Sequence, residues 1–218
     1  LSGEAATVSY NSDGSLAKIS DPYETRVFSY ETDKMLASYD IKRQSGNNES
    51  GLLTYNYNSN KQIINVKSSS SSSDWSEDIE VTYSNNRITK VQTDYDNMSQ
   101  SFTYNSNGEI EKIVEGFLSS TSEYLITYKD ERYTNPLIFE LTFPLLVDGK
   151  GCTFLKYLLY NNLGNKERRL IDKITKGHKV YNYTYLKDER GNITKIIVEL
   201  SGDIYKEMSS FELEYNCK

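Results

Sequence analysis

Apolar and polar positions along this chain fall into one recurring phrase: a tyrosine, a short polar stretch, then two aliphatics three positions apart. Tyr10-Asn-Ser-Asp-Gly-Ser-Leu16-Ala-Lys-Ile19 returns as Tyr104-Asn-Ser-Asn-Gly-Glu-Ile110-Glu-Lys-Ile113. Looser copies run from Tyr30 to Tyr39, Tyr57 to Val66 and Tyr83 to Val91, with a longer-looped one from Tyr185 through Asp188 and Gly191 to Ile193 and Ile196. Asn, Ser, Asp and Gly fill the middle of the phrase because a tight reversal needs positive φ, which Gly reaches freely and Asn or Asp tolerate. Before the turns the chain alternates: Ala6, Val8 and Tyr10 against Thr7 and Ser9, or Ile79, Val81 and Tyr83 against Glu80 and Thr82. Period two marks half-buried strands, so each phrase predicts a β-hairpin. Phe211, Leu213 and Tyr215, alternating with Ser210, Glu212 and Glu214, predict a closing strand.

One feature does not suit a flat strand. Leu16 and Ile19, Ile63 and Val66, Ile88 and Val91, Ile110 and Ile113, and Ile193 and Ile196 are each three apart, which strict alternation would put on opposite faces. A β-bulge between the two aliphatics returns the second to the core face and adds twist. The alternative is a sheet covered on both sides. The spacing predicts the bulge in at least half of the hairpins.

The pattern breaks between Pro136 and about Leu170. Leu137-Ile-Phe-Glu-Leu-Thr-Phe143 reads as a strand, while Phe154, Leu155, Leu158 and Leu159 form one helical stripe ended by Asn161, Asn162 and Gly164. That helix is expected to plug one end or face of the sheet, and Glu167 to Lys176 to form a second short turn before strands resume at Val180. The run Ser68 to Ser73 reads as a loop tip. The predicted fold is therefore mainly β: one large antiparallel β-meander over residues 1–218, strongly curved or barrel-like. One short helical insertion is expected at about 151–163, within about 144–176.

Composition narrows the picture. At 218 residues the chain suits a single sizeable core, and 19 tyrosines with a mean hydropathy of −0.65 imply a core face built partly of amphipathic rings. A formal charge of −6 with no basic run disfavours nucleic acid as a partner. Cys152 and Cys217 lie in no CxxC arrangement, and their separation does not decide whether they are bridged. No stretch reaches the ~20 apolar residues of a membrane helix. The chain does not begin with Met and reads as a processed product. Alternating strands also describe outer-membrane barrels, but the low hydropathy, the similar turn lengths at both strand ends and the final Cys217-Lys218 speak against one.

Candidate chemistry is sparse. His178, the single histidine, sits in Gly177-His-Lys and reads as a solvated loop residue. Asp148-Gly-Lys-Gly-Cys152 lacks the spacing and hydroxyl of a phosphate cradle. Asn11-Ser-Asp13-Gly and Asn105-Ser-Asn107-Gly echo a calcium loop but lack its distal acidic residue, so turn chemistry explains them. No metal site, cofactor or catalytic residue is expected. Lys-Asp-Glu-Arg occurs at 129–132 and again at 187–190, and both copies read as loops. Trp75, the only tryptophan, and Tyr95 are the candidate ligand-binding residues. The bland reading of Trp75 lays its ring against a sheet edge; the functional one makes it a platform for a sugar ring or a partner side chain.

The Tyr-x-x-x-Gly-x-Ile/Leu-x-x-Ile units resemble the YD repeat of RHS-type shell proteins, with Tyr-Asn in place of Tyr-Asp in several copies. Together with Tyr133-Thr-Asn-Pro136 and the terminal Phe-x-Leu-x-Tyr strand, the chain from Thr7 to Tyr215 resembles a domain of unknown function from Bacteroidetes envelope lipoproteins, described as porin-like in fold. The resemblance implies a lipid-anchored envelope protein, at the periplasm or outer-membrane surface. It carries over no catalytic residue. The expected function is a non-catalytic binding or scaffold module for an envelope glycan or protein, with carbohydrate or peptide as ligand. A monomer is expected, with membrane contact only through the anchor. The alternatives are an enzyme acting on polysaccharide through a Tyr and carboxylate pair, and a structural spacer of an envelope assembly.

Overall fold

The structure, a computed structural model, describes residues 7–13, 15–20, 24–31, 36–43, 50–70, 76–94, 98–133, 142, 168–202 and 207–213. Fifteen strands follow one another as neighbours in a single antiparallel order: β1 (Thr7–Tyr10), β2 (Leu16–Ser20), β3 (Glu24–Tyr30), β4 (Leu36–Arg43), β5 (Ser50–Tyr57), β6 (Ile63–Ser70), β7 (Ser76–Ser84), β8 (Arg87–Thr93), β9 (Ser99–Tyr104), β10 (Ile110–Phe117), β11 (Ser120–Tyr133), β12 (Arg168–Lys176), β13 (Lys179–Lys187), β14 (Ile193–Ser201) and β15 (Glu207–Glu212). The mainly-β antiparallel meander expected from the tyrosine phrases is the observed fold. The order begins at β1 and ends at β15, with no pairing between those two among the described residues. The chain divides into two compact units between Gln100 and Ser101, within β9, so that β1–β8 lie in the first and β10–β15 in the second.

In the first unit the predicted bulges are present. Ser9 pairs with Lys18 and Tyr10 with Leu16, so Ala17 is the extra residue between the two aliphatics. Ala37 occupies the same place in β4, Ile64 in β6 and Thr89 in β8. The geometry does what the spacing requires: Ile63 and Val66 are 1% and 0% exposed, whereas the bulged Ile64 is 43% exposed. Burying each aliphatic stabilises the sheet by about 1.5–3 kcal/mol, which outweighs the loss of one ladder position.

The second unit repeats the device. In β14 the extra residue is Thr194, and Ile193 and Ile196 are both buried. The bulged threonines act alike: Thr89 Oγ1 donates to the Thr82 carbonyl and Thr194 Oγ1 to that of Leu186, each at 3.3 Å. A further copy, invisible in the local sequence, lies across β11 and β12. Thr127 pairs with Lys173 and Tyr128 with Ile171, so Asp172 is bulged and Ile171 and Ile174 both face the core. Tyr128 and Ile171 are thus one phrase whose turn has been replaced by the chain from Lys129 to Leu170.

The turns close in one way. Asn58, Asn105 and Asp188 each bond twice to the residue four positions on, donating the backbone N–H to its carbonyl and accepting its N–H on the side chain: the Asn58 N–H donates to the Gln62 carbonyl at 2.9 Å, and the Gln62 N–H to Asn58 Oδ1 at 3.0 Å. The equivalent side-chain bonds are Glu109 to Asn105 (3.0 Å) and Asn192 to Asp188 (2.8 Å). The bonds from Asn192, with those from the Arg190 backbone, hold the Asp188 carboxyl below the usual carboxylate range. The fourth turn position has positive φ, taken by Gly108 (83°), Gly191 (84°) and Lys61 (60°). The hairpin of β7 and β8 instead reverses in two residues, Asn85 and Asn86 at φ 51° and 61°, yet keeps its bulge.

The structure departs from the sequence reading at several places. Ser68–Ser70 belong to β6, paired with β5 on one side and, through Ser68 and Ser69, with β7 on the other, so the backbone ladder overrides their loop-like composition. Residues 129–132 lie in β11, not in a loop, and of the second Lys-Asp-Glu-Arg copy only the residues after Lys187 form a turn. Arg168–Lys176 is strand β12 rather than a short turn, because Ile171 and Ile174 fill the two core positions of a bulged phrase. Thr142 is helical, not extended as expected for Leu137–Phe143. It is 1% exposed, and its carbonyl accepts the Tyr183 hydroxyl at 3.1 Å. The expected helix at 151–163, Cys152, Cys217, Trp75 and Tyr95 lie outside the described residues.

Candidate functional site

The tyrosines of the phrase are the first functional groups to place. A bulge leaves the carbonyl just before it off the regular ladder, and a buried carbonyl needs a donor. Tyrosine hydroxyls from the next hairpin supply it at three bulges, where Tyr30 donates to Leu16 O (2.8 Å), Tyr57 to Leu36 O (2.7 Å) and Tyr185 to Ile171 O (3.0 Å); Tyr128 likewise donates to Ile110 O (2.7 Å). These four tyrosines therefore each latch their hairpin to the one before it. The sequence shows the tyrosine and the aliphatic but not their partnership, since donor and acceptor stand 14 to 21 residues apart in these first two latches.

Around Tyr128 in the second unit, charged and phenolic groups gather. Between Tyr128 and Arg132, β11 carries Lys129, Asp130 and Glu131 against the single Leu170 of β12. The irregularity turns the Lys129 carbonyl to Arg169, whose Nε donates to it at 2.9 Å. The same guanidinium meets Asp130 at 2.8 Å and Glu109, beside the Asn105 turn, at 3.4 Å. Lys129 pairs with the bulged Asp172 at 2.8 Å, and Lys187 pairs with Glu131, so the two Lys-Asp-Glu-Arg copies touch. Lys187 holds the Glu131 carboxyl below its usual range by hydrogen bond and charge.

The phenols here stay protonated far into alkali. Burial pushes Tyr133 up to about 12, against the lowering effect of Arg168, to which it is hydrogen-bonded. Burial raises Tyr128 further, reinforced by the Glu109 charge. It does the same to Tyr185, with Tyr183, Tyr133 and Asp172 adding to it. A phenol so held is a hydrogen-bond donor and not a base at neutral pH. The arrangement grips the ends of β10 to β13 together; the arm of Arg169 to the fully exposed Asp130 contributes little. A phenol and carboxylate pair of the kind an acid–base enzyme would use exists at Tyr124 and Glu115, 2.9 Å apart, but the Tyr124 ring is 1% exposed and Lys176 Nζ lies 4.7 Å from its centroid.

Of the predicted ligand residues, the structure describes the strands that flank them. Asp78 follows Trp75 in β7 and Asp94 precedes Tyr95 after β8; the Asp78 N–H donates to Asp94 Oδ1 at 3.0 Å and the Asp94 N–H to Asp78 O at 3.2 Å. The start of β7 and the end of β8 thus lie at the same end of one strand pair. His178 is exposed in the turn between β12 and β13, as its sequence suggests. Among the described residues no cluster of His, Cys, Asp and Glu is arranged to hold a metal, and no helix is long and apolar enough to cross a membrane.

No family model matches the chain, and no curated protein matches it. Solved structures do. A porin-like protein from Bacteroides uniformis aligns over 95% of this chain and 86% of its own, with a TM-score of 0.65 and 17% identity. A porin-like protein from Bacteroides vulgatus aligns over 99% of this chain and 96% of its own, with a TM-score of 0.62 and 15% identity. At such identities the likeness is one of fold: this chain has the fold of these porin-like proteins.

Proposed function

We propose that the protein is a non-catalytic module of the bacterial cell envelope that binds a carbohydrate or peptide ligand, or scaffolds an envelope partner, with Trp75 and Tyr95 as its ligand contacts. The observation that carries this reading is the commitment of the chemically capable groups to the sheet itself. Four tyrosine hydroxyls latch backbone carbonyls, and the Lys129, Asp130, Glu131, Arg169 and Asp172 side chains form ion pairs with one another or with Glu109 and Lys187. Groups committed to the architecture leave recognition to other aromatic rings, and the proposal assigns it to Trp75 and Tyr95. The envelope placement draws on the fold shared with the Bacteroides proteins and on the resemblance to lipid-anchored envelope domains. The paired Tyr124 and Glu115 favour the polysaccharide-acting alternative, but a ring 1% exposed admits no substrate.

A glycan array combined with pull-down from a solubilised envelope fraction tests the proposal. A signal abolished by Trp75→Ala and Tyr95→Ala together supports it. Silence on both arms, or glycan cleavage by the protein, overturns it.

A further inference from the structure

The hairpin from β10 to β11 ends in a two-residue turn, Leu118-Ser119, inside the Phe117–Ser120 pair. Two-residue hairpin turns favour positive φ at their first central position, where Gly or Asn is the ordinary occupant. The other such turns obey the rule: Asn85 at 51° joins β7 to β8, and Gly177 at 57° joins β12 to β13. Leu118 takes that place at 52° and is 70% exposed, next to Phe117 at 42%. Neither backbone preference nor burial accounts for a large aliphatic there.

The register makes this tip protrude. Tyr124 of β11 lies opposite Lys176, the last residue of β12, whereas β11 begins four residues earlier at Ser120. At strand rise that is about 13 Å beyond the neighbouring hairpin. The base of the projection is flanked by that neighbour's turn, Lys176-Gly177-His178-Lys179. The acidic side chains on the projecting strands are engaged: Glu115 accepts the Tyr124 hydroxyl at 2.9 Å, and Glu123 pairs with Lys112 at 2.6 Å.

We propose that this hairpin is a membrane-contact element, in which Phe117 and Leu118 enter the interface of an anionic bilayer while the Lys176–Lys179 turn meets the lipid phosphates. An apolar tip with a basic collar is the combination that such an interface selects. The envelope reading places membrane contact in a lipid anchor alone; the hairpin adds a direct one.

Vesicle flotation tests it, using phosphatidylcholine liposomes with and without phosphatidylglycerol. The protein floats with the anionic vesicles, and added salt weakens the association. Leu118→Gly, which suits the turn, lowers binding about tenfold without lowering the melting temperature, so that lost binding is separated from lost folding. Lys179→Gln weakens binding to the anionic vesicles only. No flotation, equal flotation with neutral vesicles, or unchanged binding by Leu118→Gly overturns the proposal. Glycan or partner binding that persists in Leu118→Gly keeps this outcome apart from that of the proposed function.

Discussion

The pairs β5–β6 and β11–β12 carry the same architecture on opposite local terms. In the first, Tyr57 and Ile63 are joined by a five-residue turn, Asn58 to Gln62, closed by its own asparagine. In the second, Tyr128 and Ile171 are joined by everything from Lys129 to Leu170. Yet both place a bulge after the aliphatic, at Ile64 and Asp172, and both send the tyrosine hydroxyl to the preceding hairpin, at 2.7 Å in each case. The turn is therefore not what sets the bulge or the latch. Burial of two aliphatics three apart demands the bulge, the bulge frees a carbonyl, and at Leu16, Leu36 and Ile171 the next tyrosine satisfies it.

Alkali strikes the latch of the β11–β12 pair and the buried phenols around it, and should have the largest effect. Unfolded tyrosines titrate near 10, whereas Tyr133 is pushed up to about 12 and Tyr128, Tyr183 and Tyr185 are raised as well. Above pH 10 the unfolded chain binds fewer protons than the folded one, so stability is complete below that pH and falls as pH rises through 12. Denaturant midpoints measured from pH 8 to 12 should fall steeply in that window, with tyrosinate absorbance appearing together with unfolding. Stability that holds level there would show that the buried phenols are not a common support.

Single latches come next. Tyr57→Phe and Tyr128→Phe each leave a carbonyl without its donor and should each cost about 1–3 kcal/mol in urea denaturation. The comparison predicts similar losses; a large loss at one and none at the other would break it. The smallest effect sharpens the contrast: Asn58→Ala removes the side chain that closes the short turn and should cost about 1 kcal/mol, less than either latch.

Much of this was legible in the residues. Alternation gave the strands, and the spacing of Ile63 and Val66 or Ile193 and Ile196 foretold the bulges, because side-chain period and core facing are local properties. The β11–β12 phrase was hidden because its halves are separated by the insertion, and β12 then reads as an isolated Ile171-Asp-Lys-Ile174. Ser68–Ser70 were misread for a related reason: pairing to β5 and β7 is a tertiary effect that composition does not carry. The grouping of Arg169, Glu109 and Asp130 depends on a strand irregularity that no motif announces. Trp75 and Tyr95 stood out only as residue types, and the approach of their flanking Asp78 and Asp94 is a product of register.

Bulge and latch form the repeating unit, and the long connection is an addition to it. Replacing Lys129–Leu170 with the Asn-Ser-Asn-Gly-Glu turn of residues 105–109, so that Tyr128 reaches Ile171 through five residues, puts that claim to a direct test by denaturant unfolding. One cooperative transition with strand-type circular dichroism, and tyrosines that still resist titration, are expected. A chain without a cooperative transition, or with tyrosines titrating near 10, would contradict it.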